Sequence, residues 1–412
     1  MVYSADSRYG TGNLIRHSRT CVKKDTRDLG QMLLQTNAAG ELGPRFPKFN
    51  AEFFRELVVI AIVKHGLPFQ FIEYDSIRNI FLYLNPETKL FSRNTAKTDV
   101  LKVYEIEKKR LIDMLRSIPG KISLPSDCWM SITTNGYISL IAHFVDNKWN
   151  LQKRILNFSF MPPPHTGVAM AEKIYSLLKD WGIEKKIESI TLDNAAANDV
   201  FVSCLKNNLD LLCDGEYFHV RCCADILNSV IQEGLKEVNA AVIKVRESVK
   251  YCKGSQAREC RFLDCVEYVS LSSSRGLRQD VPTRWNSTFI MFESALYFKK
   301  AFMHLEISDT NYVQCPTSEE WSKIEKISKF LKVFYEVTCA FSGTKYPTAN
   351  IYFQHVLKVR LLLKEEMESD DAFLKRMAIR MWGKLEKYWA EFSTIMAIAA
   401  ILDPRYKFQL VD

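Results

Sequence analysis

No apolar run in this 412-residue sequence approaches the roughly 18 residues that a membrane-spanning helix needs; the longest, Leu57–Val63 and Ile395–Leu402, are far shorter. The first residues, Met1 to Asp6, carry neither a basic segment nor an apolar one, so no secretory signal is read there. The eleven cysteines are odd in number and scattered. They lack the spacing of a disulfide scaffold, and the expectation is free, mostly buried thiols in a reducing compartment. A Walker-type lysine loop, a dinucleotide-binding glycine fingerprint, the kinase motifs and a Gly-x-Ser-x-Gly elbow are also missing. Those enzyme classes are thereby excluded, and no small-molecule substrate is expected. His65, His143, His165, His219, His304 and His355 do not fall at zinc spacing with cysteines and are read as structural.

What is present is a globular composition, 47% hydrophobic and 25% charged, which excludes a wholly disordered or collagen-like chain. At roughly 100 to 200 residues per domain the length suggests two to four folding units. Lysine and arginine outnumber acids by 56 to 48, a formal charge of +8 that leans weakly toward a polyanionic partner. The excess lies in the N-terminal third. Residues 1–24 hold Arg8, Arg16, Arg19, Lys23 and Lys24 against Asp6 alone, and residues 91–124 hold Arg93, Lys97, Lys102, Lys108, Lys109, Arg110, Arg116 and Lys121 against four acids.

The texture changes along the chain. Residues 25–50, with Gly30, Gly40, Gly43, Pro44 and Pro47, read as a linker. Residues 51–120 show helical periodicity broken at Pro68 and Pro86, with a last helix over Lys97–Ile118. From Lys121 the pattern turns to strands at Ser126–Thr133, Gly136–Asp146 and Trp149–Phe160. A helix over Thr166–Trp181 follows, closed by Gly182, then a strand at Ile187–Leu192, a helix at Ala195–Leu209 and a strand at Glu216–Val220. The order is βββαβαβ, then helix, and beyond about Cys222 helical patterns dominate apart from a loop at Ser272–Arg284. The fold class is therefore α/β plus α, with one α/β unit at 121–235 and a helical region at 236–412.

Two acids occupy positions of interest in that α/β unit. Asp127 lies in the first strand and Asp193 closes the fourth, so adjacent parallel strands would bring their carboxylates together. Paired carboxylates repel unless a cation lies between them, and hard oxygen ligands suit Mg²⁺. The alternative is that Asp127 caps a turn and Asp193 caps the following helix.

Four segments in order, Ser126-Asp127-Cys128-Trp129-Met130-Ser131, Thr191-Leu192-Asp193-Asn194-Ala195, Arg221-Cys222-Cys223-Ala224-Asp225-Ile226-Leu227-Asn228 and Asp280-Val281-Pro282-Thr283-Arg284-Trp285-Asn286-Ser287-Thr288, resemble landmarks of the hAT superfamily of DNA transposases. The likeness is nearest to plant Ricesleeper-like, BED-finger members. Leu67-Pro68-Phe69, Leu84-Asn85-Pro86 and Ser92-Arg93-Asn94-Thr95 resemble the same family's helical N-terminal region. The resemblance implies an RNase H-like core interrupted by a large helical insertion, a DNA-binding helical region at 51–120, nuclear action, and an Asp, Asp, Glu triad holding Mg²⁺ or Mn²⁺. Carried over by motif, Asp127 is the first acid and Asp193 the second. The third, a glutamate, has no counterpart here, and neither has the family's dimerisation segment.

Two further departures follow from the same resemblance. The family's Cys-x-x-His becomes Cys222 to Asp225, placing an anion where an imidazole serves near the scissile DNA. Gly10 to Cys21 resembles the last helix of a BED finger, with His17 and Cys21 on one side and residues 1–24 as the finger's remnant, but the upstream cysteine pair is missing. Two ligands are half of a tetrahedral set, so no structural zinc is expected. Arg16, Arg19, Lys23, Lys24, Lys108, Lys109 and Arg110 remain candidates for phosphate contacts. In the family the Arg284-Trp285 pair would lie near DNA; otherwise it anchors a loop with Trp285 buried. The expectation is a transposase-derived DNA-binding protein, catalytically inactive as this chain, whose partners are DNA and a full-length protein of the same family. The rivals are a fragment of an active, metal-dependent transposase and a protein-interaction relic that no longer binds DNA.

Overall fold

The computed structural model describes residues 34–36, 42–44, 49–195, 197–343 and 346–407, with the side chains of 389–393 and of the first two short segments excepted. Two compact units divide the chain, at 1–111 and 112–412.

In the first unit, β1 (Leu34–Thr36) and β2 (Leu42–Pro44) pair antiparallel within the span expected to be a linker. Helix α1 (Ala51–His65) starts at Asn50, whose side chain accepts from the amides of Glu52 and Phe53, and stops at Gly66, left-handed at φ 62°. Helix α2 (Asp75–Leu84) ends just before Pro86, and α3 spans Arg93–Ser117, its residues from Ile112 onward belonging to the second unit. Val58, Ile62, Ile72 and Ala96 form the small core, ringed by Phe54, Phe71, Phe81 and Phe91. Arg55 joins α1 to α3 through Asp99 and lies over the Phe91 ring.

In the second unit, five strands make one open sheet in the order β5-β4-β3-β6-β7. They are β3 (Ile122–Met130), β4 (Gly136–Val145), β5 (Leu151–Met161), β6 (Ile187–Leu192) and β7 (His219–Arg221). The first three form an antiparallel meander; β6 and β7 add in parallel on the other side of β3. This is the expected βββαβαβ order. Strand β3 begins at Ile122, ahead of the expected Ser126, and carries Pro125 within it. Its pairing with β4 lapses between Ser123↔His143 and Ser126↔Leu140, so the missing amide falls in a gap in that ladder.

The strict alternation of buried residues along β4, with Ile138, Leu140, Ala142 and Phe144 inward, fixes one face as core. Helix α4 (Gly167–Trp181) buries Met170, Ala171, Ile174, Leu177, Leu178 and Trp181, and packs beside α5 (Ala197–Lys206). Thr166 caps α4, and Gly182 at φ 63° ends it with its amide reaching back to Leu178 and Lys179. On β5, Ile155, Phe158 and Phe160 remain exposed.

Helices α6 (Cys223–Leu235), α7 (Asn239–Lys253), α8 (Gln256–Tyr268), α9 (Trp285–Tyr297), α10 (Lys299–Ser308), α11 (Ser318–Phe341), α12 (Tyr352–Met367) and α13 (Ala372–Ile401) follow. They share one continuous core that includes Trp285, Phe302, Trp321, Phe334 and Met381. Helix α13 runs on to Ile401 because the apolar run at its C-terminal end continues the helix. Among the described residues no helix is long and apolar enough to cross a membrane. All ten described cysteines are unpaired, but only Cys252, Cys265 and Cys315 are buried, fewer than the composition suggested.

Candidate functional site

Sheet register sets the site. Strands β3 and β6 run parallel with Pro125 opposite Thr191. Continuing that register brings Asp127 level with Asp193, just past the carboxyl end of β6, and both residues line one cavity of about 250 Å³. Open α/β sheets place ligands at this end of their strands, because the loops there are free to vary while the strands hold them rigid. Asp193 holds its position through Oδ1, which accepts from the Ala195 amide at 3.1 Å and the Asn198 amide group at 2.5 Å. The Ala195 bond closes a turn just ahead of α5, and the Asn198 bond ties the carboxylate to the first turn of that helix. Among the described residues Asp193 Oδ2 has no hydrogen-bond partner.

Charge converges on Asp127. Partial burial raises its carboxyl above the usual carboxylate range, and the neighbouring Asp193 and Asp225 charges push it further; the Cys128 amide and the Arg284 guanidinium pull the other way. Asp225 reaches this neighbourhood because the Cys222 amide donates to Leu192 O at 2.8 Å, fastening the start of α6 to the end of β6. Asp225 accepts from the Cys222 thiol, which burial, reinforced by that carboxylate, pushes up to about 12. Cys222 is thus a protonated hydrogen-bond donor rather than a thiolate.

The site holds a residue that sequence reading took as structural. His165 lines the same cavity, and its Nε2 lies 2.8 Å from Met161 O, an acceptor, so Nε2 donates to that carbonyl. Gly136 makes this possible: a Cβ there would fall 2.1 Å from His165 Nε2 and 2.7 Å from Met161 O. The pairing of Gly136 with Met161 across β4 and β5 is the signal, and it becomes visible only once the strands are in register.

Arg284 is exposed and caps α9, whereas Trp285 is 1% exposed, packed in the helical core against Phe289. The indole is a loop anchor and presents no ring at the surface, contrary to the expected contact of Trp285 with DNA. On α3, Lys108 lies over the Tyr104 ring, Arg110 pairs with Glu107 at 2.6 Å, and Lys109 is exposed. Arg16, His17, Arg19, Cys21, Lys23 and Lys24 lie outside the described residues.

Among the described residues no three His, Cys, Asp or Glu side chains stand together as a metal-holding group. Two hard carboxylates, with Asp193 raising the proton affinity of Asp127, nevertheless suit Mg²⁺ or Mn²⁺, since Mg²⁺ is commonly held by one or two carboxylates with water and phosphate oxygens completing its shell.

Comparison with known proteins agrees with this architecture. The ZBED1 RNase-like domain model matches residues 125–217, the ZBED1 RNase-like helical domain model matches 220–330, and the model for hAT-like transposase, RNase-H fold, matches 350–412. The "Putative AC transposase" of Zea mays is 32% identical over 420 residues, covering 100% of this chain and 52% of that protein. "Zinc finger BED domain-containing protein RICESLEEPER 2" of Oryza sativa subsp. japonica is 33% identical over 356 residues, 85% of this chain and 49% of that protein. "Zinc finger BED domain-containing protein DAYSLEEPER" of Arabidopsis thaliana is 29% identical over 369 residues, 88% of this chain and 53% of that protein. The chain thus spans about half the length of these relatives. With the five-stranded sheet, the helical region that follows it and this set of matches, the chain belongs to the hAT transposase family and carries its RNase H fold.

Proposed function

We propose that this chain is a transposase-related protein that acts on DNA in the nucleus, with Asp127 and Asp193 as the seat of a divalent cation beside the bound strand. The observation that carries the reading is the level placement of these two acids on neighbouring parallel strands, facing one cavity, with Asp225 and Arg284 within electrostatic reach. The names of the relatives, one a putative transposase and others BED zinc-finger proteins, support it, as does the basic character of α3.

When bound, Mg²⁺ or Mn²⁺ would neutralise phosphate charge and polarise a phosphorus–oxygen bond toward attack by a hydroxyl. Asp127 and Asp193 would hold the ion. Asn198 orients Asp193 by donating to its Oδ1. Arg284 supplies a fixed positive charge for a phosphate at the rim, and His165 forms part of the cavity wall. Asp225 opposes this chemistry, because an anion in the first turn of α6 repels phosphate where a histidine would attract it. The 412-residue chain by itself is therefore a DNA binder that cuts DNA slowly or not at all.

Fluorescence anisotropy with a labelled DNA duplex at rising salt tests the binding claim. Neutralising several phosphates makes log K fall linearly with log salt, and six to ten contacts lose about 10³ to 10⁵ in affinity between 50 and 200 mM. A flat response would favour the protein-interaction reading instead.

A further inference from the structure

Arg284 owes its position to a side chain from a different motif. Asn228 lies on α6 one turn beyond Asp225. Its amide nitrogen donates to Thr283 O and its amide oxygen accepts from the Trp285 amide, both at 3.2 Å. The two bonds straddle Arg284, so a single planar group fixes the backbone on either side of it. One turn further along α6, Gln232 donates to Pro282 O at 3.0 Å. From below, the Asp280 carboxylate is fully buried and takes Arg246 Nε, Arg246 Nη2 and the Thr288 hydroxyl. Ser287 closes the turn by accepting from the Val281 amide at 2.8 Å and donating to Arg284 O at 2.6 Å. Trp285 is buried at one end of the segment and Asp280 at the other, while Arg284 is left as its exposed cation.

A connecting loop needs no such fastening, and each bond contributes only about 0.5–1.5 kcal/mol net. The return is a guanidinium whose backbone is already fixed before a phosphate arrives, which removes part of the ordering cost of the contact. Because α6 is itself tied to the end of β6 through Cys222 and Leu192, the latch places Arg284 relative to Asp193 and Asp127. Arg284's field at Asp127 agrees with that placement.

We infer that Asn228 is a positioning residue for Arg284, clamping the chain on both sides of it so that the guanidinium meets a DNA phosphate beside the Asp127–Asp193 pair. The segment containing Arg221 to Asn228 and the segment containing Asp280 to Thr288 are then two halves of one device. This inference rests on the DNA reading above.

The test is a cycle of the whole 412-residue chain, Asn228→Ala, Arg284→Ala and the double variant, each titrated against a 30-bp duplex of mixed sequence across a salt series. Arg284→Ala loses about tenfold in affinity, and the slope of log K against log salt falls by about one. Asn228→Ala shifts both in the same direction by less, and adds nothing once Arg284 is gone. Gln232→Ala, which frees only the Pro282 carbonyl, gives the same comparison if Asn228→Ala fails to fold: a smaller loss that also disappears without Arg284. A role in stability alone would lower the melting temperature, leave the salt slope unchanged and act additively with Arg284→Ala, which would overturn the latch. A wild-type chain that shows no salt-dependent binding would overturn the DNA reading and this inference with it.

Discussion

The Arg246 guanidinium meets the Asp280 carboxylate with two nitrogens, Nε at 2.9 Å and Nη2 at 2.7 Å, and the carboxylate is 0% exposed. Helix α7 and the loop before α9 are joined at this point. Burial works to raise the Asp280 carboxyl, but Arg246 and Thr288 outweigh it and hold the group below its ordinary range. Removing one partner strands a charge in the interior, so Asp280→Asn is expected to cost about 3–5 kcal/mol. The sign of the pH dependence follows from the depressed value. The contribution is complete above the unfolded carboxyl value of about 3.9 and is lost as pH falls through the lower folded value. Melting temperatures measured from neutral pH down to about pH 3 should show an acid-induced fall in the wild type whose Asp280 component is missing from the variant.

The neighbours Arg284 and Trp285 should separate cleanly. Trp285→Ala empties a fully buried site and is expected to destabilise by about 3–5 kcal/mol. Arg284→Ala should leave stability within about 0.5 kcal/mol, as for an exposed side chain, while weakening DNA binding. Chemical denaturation and anisotropy on the two variants check this; equal losses of stability would contradict it.

The end of α3 depends on one lysine. Lys186, just before β6, donates Nζ to Arg116 O at 2.6 Å, Ile118 O at 2.7 Å and Leu115 O at 3.2 Å. These are carbonyls that a helix end leaves without partners of its own. Lys186→Met keeps the aliphatic stem and removes the donors, at an expected cost of about 1.5–3 kcal/mol. Hydrogen exchange should rise first at the amides around Leu115 to Ile118, and an unchanged exchange pattern would argue against the cap.

Asp127→Asn should act in the opposite direction. It removes a partly buried charge facing Asp193 and Asp225, and at neutral pH it is expected to stabilise the chain by up to about 1 kcal/mol, the usual exchange of stability for a strained functional site. A lower melting temperature would mean that the carboxylate is structural.

Much of the fold is legible in the sequence because each signal is local. Alternation along Gly136–Val145, the helical spacing of Gly167–Trp181 and the glycine that ends it require no knowledge of partners. That Asp127 lies in the first strand and Asp193 follows the fourth could be read the same way, although the first strand starts at Ile122 and not at Ser126. Long-range features could not. Pro125 looks like a break until the gap in its pairing is known. His165 looks inert until Gly136 and Met161 are in register. Asn228 and Thr283 are 55 positions apart, and no periodicity connects them. Trp285 stood equally well as a DNA contact or a loop anchor from its residues alone; burial distinguishes a packing indole from an exposed one, and that depends on the whole helical core.

Titration of the chain with Mn²⁺, followed by electron paramagnetic resonance, measures directly whether Asp127 in β3 and Asp193 just past β6 hold a divalent cation. The free Mn²⁺ signal should fall as the wild-type chain takes up the ion, should stay close to that of buffer with the Asp127→Asn, Asp193→Asn double variant, and should fall as before with Arg284→Ala. Uptake by the double variant equal to that of the wild type, or no uptake by the wild type, would contradict the assignment.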